Sequence, residues 1–99
     1  MGTRLQLHQL LEEFVPNVYF QPPTNVKLHY PCIVYRRDFA YTKFADDLPY
    51  DHTIRYSITV IDQDPDSQIP SKVAAMPMSL FNRFFTVDNL NHDVYSVYF

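Results

Sequence analysis

The length, composition and charge of this chain exclude several classes of protein. Its 99 residues suffice for one compact domain, predicted over residues 1–99, and not for a second core. With 46% hydrophobic and 19% charged residues the composition is globular, and a net charge of −3 argues against a protein that coats nucleic acid. No run approaches the roughly 20 apolar residues of a membrane-spanning helix, and no signal peptide is visible. Only one glycine, Gly2, is present, which excludes the glycine-rich phosphate loops of familiar nucleotide enzymes.

The first predicted element is a helix over residues 3–14. Thr3 and Gln6 have the spacing of a capping box, in which each side chain binds the other residue's backbone amide. An apolar stripe at helical spacing follows, and Pro16 ends the pattern. The stripe consists of Leu7, Leu10, Leu11 and Phe14.

Three strands are predicted in the middle of the chain. Residues 17–20 form a short strand, and the apolar run 31–35 is typical of a strand buried on both faces. The clearest strand covers residues 54–61, where apolar side chains alternate with a period of two. Between them, residues 39–50 combine aromatic and charged side chains, which predicts either a long loop or the protruding tip of a hairpin.

A second helix is predicted over residues 67–76. Asp66 or Ser67 is a suitable N-cap, and Pro70 fits the first turn, where its missing amide costs nothing.

Two further strands are predicted at the end of the chain. Residues 80–87 suit a helix or a strand, and the Asp88-Asn89 turn signal favours the strand. A turn over residues 89–93 and a last strand over 94–99 follow. This order of elements predicts an α+β fold, with a mostly antiparallel sheet of four to five strands and two helices packed on one face.

The acidic alternation Asp62, Asp64 and Asp66 resembles the start of a calcium-binding loop. The sixth position, however, is Ser67 where such a loop needs glycine, and the twelfth is Val73 where it needs glutamate. The three aspartates therefore stay weak metal candidates, and no cofactor is predicted.

The single cysteine, Cys32, cannot form an internal disulfide, which is typical of a reducing compartment. It lies three residues after His29, a spacing at which a cysteine nucleophile and a histidine base could act together. Because Pro31 intervenes and Cys32 opens an apolar strand, a buried, inert thiol is predicted. We predict no enzyme; a small enzyme using Cys32 or a carboxylate pair remains a competing hypothesis.

Two segments are predicted to form an interface between subunits. Residues 39–50 carry more aromatic surface than a plain loop needs, and the strand 94–99 is expected at a sheet edge because it ends the chain. Arg36 and Arg37 are read either as ordinary sheet-face ion pairs, together with Arg55, or as a polar rim opposite acidic residues of a neighbour. The predicted interface residues are Arg36, Arg37, Phe39, Tyr41, Phe44, Asp46, Asp47, Tyr50, Tyr95, Tyr98 and Phe99.

Four stretches of the sequence together carry a resemblance. They are Val-Tyr-Phe-Gln-Pro-Pro at 18–23, Tyr-Pro-Cys-Ile-Val-Tyr at 30–35, and the longer segments 56–67 and 85–94. These stretches resemble a family of small phage and prophage proteins from Gram-positive hosts. Members of that family are described as minor capsid, head–tail joining or tail completion proteins. The order of elements is also similar to that of tail terminator proteins, α/β subunits that form a hexameric ring at the head-proximal end of the tail tube.

The resemblance implies a virion structural protein, assembled in the host cytoplasm, that joins copies of itself into a ring, expected to be a hexamer. Its implied partners are the major tail protein and the head–tail connector proteins, with DNA only in passage through the lumen and no membrane. No catalytic residue carries over. Tail terminators can depend on divalent cations, for which Asp62, Asp64 and Asp66 are the available carboxylates.

The terminator, stopper and connector roles share these features and stay open. The alternative function is a small monomeric phage-encoded binding module or inhibitor that acts on a host protein.

Overall fold

A computed structural model describes residues 3–45 and 48–99, with side chains for residues 3–39 and 54–99. Helix α1 spans Arg4–Glu12. The predicted capping box is confirmed: the Thr3 backbone amide donates to Gln6 Oε1 at 2.8 Å, and the Gln6 amide donates to Thr3 Oγ1 at 3.2 Å. The helix ends two residues before the predicted boundary.

Five strands form one sheet in the order β1-β2-β3-β5-β4. Strand β1 pairs with β2 in parallel, and the other neighbours are antiparallel. Helix α2 lies between β3 and β4 in the chain, and within the described residues no helix is long and apolar enough to cross a membrane. The predicted α+β fold with a mostly antiparallel sheet is therefore confirmed. The elements after α1 are β1 (Val18–Phe20), β2 (Cys32–Ala45), β3 (Leu48–Asp62), α2 (Ile69–Ala74), β4 (Ser79–Val87) and β5 (Leu90–Tyr98).

Both helices pack on the same face of the sheet. Side chains alternate across a strand, so residues two apart share a face. One row of the sheet faces the helices, and its buried residues form a single apolar cluster with those of the helices. The cluster contains Leu7, Leu11 and Val15, the sheet residues Ile33, Tyr35, Tyr56, Ile58, Val60, Tyr95 and Val97, and Val73 and Met76.

Residues 39–45 and 48–50 belong to the two strands of a hairpin, the second of the two predicted alternatives. Strands β2 and β3 pair from Cys32↔Ile61 to Ala45↔Leu48. Strand β5 pairs with β3 between Arg55 and Asp62, and the Phe99 amide donates to the Ile54 carbonyl at 3.1 Å. The described backbone beyond Ile54 pairs within the hairpin. Asp46 and Asp47 lie outside the described residues.

The second helix is shorter than predicted. It begins after Gln68, which makes no side-chain capping bond, so neither Asp66 nor Ser67 is the N-cap. The Ser67 hydroxyl instead accepts from the Ile69 amide at 3.3 Å, which holds the turn before the helix. Pro70 lies in the first turn, as predicted.

The turn between β4 and β5 consists of Asp88 and Asn89 alone. Both residues have positive φ, 53° and 63°, as a two-residue hairpin turn of matching twist requires. The predicted turn over 89–93 is therefore wrong beyond its first residue. Polar residues continue into β5 because the strand has a partner on each side; the Asn91 side-chain amide, for example, donates to the Asp62 carbonyl at 3.2 Å.

Strand β5 lies inside the sheet, and the prediction that residues 94–99 form an edge is wrong. The tight Asp88-Asn89 turn places β4 directly beside β5, while β3 pairs with β5 on its other side. The predicted strand at 80–87 is confirmed as β4, and it is β4 that lies at the edge.

Candidate functional site

The most exposed apolar surface among the described residues lies along the edge strand β4. Five of the nine exposed large apolar side chains fall within ten residues of the chain there. Clusters of exposed apolar side chains on a soluble protein often mark an interaction site. We call this set the β4 edge: Met78, Leu80, Phe81, Phe84 and Val87, which are 68%, 64%, 59%, 54% and 50% exposed.

The β4 edge is apolar on both faces of the sheet. Phe81 and Phe84 pair with Tyr95 and Asp93, on the face that carries the helices, and the Phe81 ring meets Tyr95 edge-on at 5.5 Å. Leu80 pairs with Ser96 on the opposite face. A partner lying alongside β4 would therefore contact apolar side chains above and below the strand.

A bulge interrupts this strand. The register of β4 against β5 shifts between Phe81 and Arg83, which leaves Asn82 as the extra residue. The strand is thus divided into two straight runs, 79–81 and 83–87.

The surroundings of β4 are basic. Helix α2, which packs against β4, carries Lys72 in its last turn, and β4 itself carries Arg83, whose guanidinium carbon lies 5.0 Å from the Phe85 ring centroid. Residues 69–87 contain no aspartate or glutamate. Residues 69–87 therefore carry two positive charges and no negative one, while Asp88 follows in the turn and Asp93 pairs with Phe84.

The opposite edge of the sheet has the reverse charge. Strand β1 is its outermost strand, α1 packs against it, and residues 3–20 contain Glu12, Glu13 and one cation, Arg4. Arg4 points inward: its guanidinium carbon lies 4.5 Å from the Phe20 ring centroid, and Nη1 donates to the Tyr35 hydroxyl at 3.3 Å. The two glutamates are exposed at the end of α1.

The helix-free face of the sheet carries Arg36 and Arg55, whereas Arg37 pairs with Tyr56 on the face that carries the helices. Arg36 lies beside Ser57, and Arg55 Nε donates to Asp38 Oδ1 at 2.9 Å. This hydrogen bond raises the pKa of Arg55. The predicted sheet-face ion pair is thus confirmed for Arg55, whereas the proposed rim of Arg36 and Arg37 against acidic residues of a neighbour stays a prediction.

The other predicted interface residues have different surroundings. Phe39 is 47% exposed, with the Arg55 guanidinium carbon 5.2 Å from its ring centroid. Tyr95 is buried in the core, and Tyr98 and Phe99 are partly buried. Tyr95 is therefore a packing residue of this chain. Tyr41, Phe44 and Tyr50 lie within β2 and β3, with side chains outside the described residues, as are Asp46 and Asp47 altogether.

The predicted inert thiol is buried at the start of β2. Burial, with a smaller contribution from the nearby Asp62 carboxylate, raises the pKa of Cys32 to about 11. The thiolate is the nucleophilic form, so this environment disfavours nucleophilic chemistry at neutral pH.

The three aspartates after β3 shape their own loop. Asp62 Oδ1 accepts from the Asp64 amide and Asp64 Oδ1 from the Asp66 amide, both at 2.9 Å. Across the described parts of the chain, no group of three histidine, cysteine or acidic side chains could hold a metal ion. The local role of the Asp62 and Asp64 carboxylates is to accept hydrogen bonds from the backbone that leads from β3 towards α2.

Sequence reasoning missed the β4 edge as a site. The available signal was the spacing of Leu80, Phe81, Phe84 and Phe85. This spacing places apolar side chains on both faces of a strand, while polar residues between them interrupt the continuous apolar run of a fully buried strand. The two-residue turn after Val87 places β4 directly beside β5. Which of the two strands is the outer one depends on the pairing of β5 with β3, which the sequence pattern does not show. Searches of protein families, curated proteins and solved structures found no match to this chain.

Proposed function

We propose that this protein is a phage virion structural protein, a tail terminator or head–tail completion subunit that acts by joining copies of itself into a ring. The observation that carries the proposal is the β4 edge, a strand that pairs with β5 on one side only and carries apolar side chains on both faces. The resemblance of four sequence stretches to small phage proteins supplies the biological role. In this role the protein works by shape, and no bond is made or broken.

The β4 edge has the physical properties of a subunit contact. Burying apolar surface contributes roughly 25 cal/mol per Å², so covering several half-exposed phenylalanine, leucine and methionine side chains supplies a driving force for association. Backbone groups on the open side of an edge strand offer hydrogen bonds to an added strand. Neither the apolar burial nor these hydrogen bonds are gained while the outer side of β4 is exposed to water.

The proposal includes the partners that the resemblance implies. A ring of six copies would cap the tail tube or join it to the head, in contact with the major tail protein and the head–tail connector proteins. DNA would only pass through the lumen. The protein would assemble in the host cytoplasm and stay in the virion. The exposed side chains at the base of the β2–β3 hairpin, Arg36, Arg37 and Phe39, are available for these further contacts.

The test is the mass of the protein in solution from low micromolar to millimolar concentration, by native mass spectrometry and light scattering. We expect a discrete closed oligomer that grows in population with concentration. Phe84→Ser removes a half-exposed ring from the β4 edge and should suppress the oligomer, because Phe84 contributes to the contact and not to the core.

The matched control is Val26→Ser, an exposed apolar side chain outside the β4 edge, which should leave the oligomer unchanged. A wild-type chain that stays monomeric at every concentration, also when purified tail tubes are added, would contradict the proposal. It would favour the alternative, a monomeric binding module directed at a host protein.

A further inference from the structure

We propose that the β4 edge of one copy binds the α1–β1 edge of the next copy, head to tail, and not the β4 edge of a second copy. This inference rests on the proposed function and names the two surfaces of its contact. We define the α1–β1 edge as residues 3–20.

Charge argues against pairing two β4 edges. A two-fold contact would bring Lys72 and Arg83 of both copies together, and the segment 69–87 offers no carboxylate to neutralise them. Like charges facing each other across an interface oppose association. The apolar side chains alone would permit this arrangement, so the charges decide against it.

Charge favours the opposite edge. Glu12 and Glu13 are exposed at the end of α1, and the cation of that edge, Arg4, is engaged with Phe20 and Tyr35. The net charges are +2 for residues 69–87 (Lys72 and Arg83) and −1 for residues 3–20 (Arg4 against two glutamates). Opposite signs on the two ends of one sheet suit a contact between unlike surfaces.

Geometry places Lys72 and the two glutamates on one side of the joint, whereas Arg83 pairs with Val94 and lies on the helix-free face. Both helices pack on the same face of the sheet. If β1 of the next copy continues the sheet beside β4, its α1 lies on the same face as α2 of the first copy. Lys72 on α2 then faces the end of α1, where Glu12 and Glu13 lie.

Strand lengths also fit. Strand β1 has three residues, and the straight run of β4 before its bulge, residues 79–81, has three as well. Since the two surfaces differ, each copy uses both, which is the arrangement that closes into rings.

The test reverses the charges one edge at a time. Lys72→Glu with Arg83→Glu makes both edges acidic, and Glu12→Lys with Glu13→Lys makes both basic. Each double variant alone should need about tenfold more protein, or greater, for half-assembly, because like charges then face each other. A mixture of the two double variants should assemble again at the wild-type concentration, with the copies alternating.

The controls are Lys27→Glu and Asp66→Lys, exposed charges outside both edges, which should leave assembly unchanged. Circular dichroism of each variant shows that the fold is retained. If wild type assembles while Glu12→Lys with Glu13→Lys assembles equally well, the head-to-tail contact is wrong and the proposed ring survives by another contact. If wild type does not assemble at all, with or without tail tubes, both proposals are wrong.

Discussion

Strands β4 and β5 are neighbours of equal length with opposite surroundings. Each has nine residues, and a two-residue turn joins them. Strand β4 has the larger apolar side chains but leaves most of them exposed, whereas β5 contains Asn91, His92 and Asp93 and is buried or half-buried throughout. The position of a strand in the sheet, and not its hydrophobicity, decides whether the strand is exposed to water. Apolar residues that stay exposed at an edge are the ones that point to a partner.

The largest expected effect compares one aromatic residue from each strand. Tyr95→Ala removes a ring that is 5% exposed in the core and should lower the free energy of unfolding by about 4 kcal/mol. Phe84→Ala removes a ring that is 54% exposed and should change it by less than about 1 kcal/mol. Urea denaturation at concentrations where the chain is monomeric measures both. Equal losses would show that β4 is part of the core.

The next effect compares thiol reactivity in β2 with that in β4. A Cys32 pKa of about 11 in place of 9.0 means roughly hundredfold less thiolate at a given pH, since each pKa unit is a factor of ten. Cys32 should therefore react with iodoacetamide at least about a hundredfold more slowly than the thiol of a Cys32→Ala, Leu80→Cys variant. Equal rates would contradict the burial of Cys32 and reopen the enzyme hypothesis.

A smaller effect is expected at the turn that joins the two strands. Asn89 has φ 63°, a region that asparagine tolerates and a β-branched residue does not. Asn89→Val should cost about 1–2 kcal/mol of stability by thermal or urea unfolding. Asn89→Gly should cost nothing, because glycine adopts this φ freely. Loss of stability in both variants would mean that the asparagine side chain matters more than the backbone.

The smallest effect is a pH dependence inside β5. Burial raises the pKa of Asp93, partly offset by the neighbouring His92. Because the folded pKa lies above the unfolded value of about 3.9, the folded chain binds the proton more tightly, and the stability this group contributes is lost as pH rises through its folded pKa. Asp93→Asn should therefore gain stability relative to wild type at neutral pH compared with pH 4. An equal difference at both pH values would contradict a raised pKa for this half-buried carboxyl.

Local sequence patterns predicted the elements well, because their causes are local. The Thr3–Gln6 capping box, the alternation in β3 and the Pro70 start of α2 each depend on neighbours within a few residues. The β2–β3 hairpin was predicted only as one of two alternatives. Its pairing depends on contacts between residues far apart along the chain.

Strand order could not be predicted in the same way. Periodicity shows which face of a strand is buried, but not which strands lie beside it. The prediction that the last strand, with Tyr95, lies at an edge was therefore wrong, and the exposed apolar edge is β4. Asn91 and Asp93 favour a turn by composition, and they lie in a strand because β3 and β4 pair with β5 on both sides.

The bulge at Asn82 has a consequence for aggregation. Nine straight residues of apolar edge would be a template on which strands of many copies stack into cross-β fibrils. One extra residue bends and twists the strand, so that only runs of three and five residues stay straight. The chain can thus keep an apolar edge that binds one specific neighbour and still resist open-ended fibril growth.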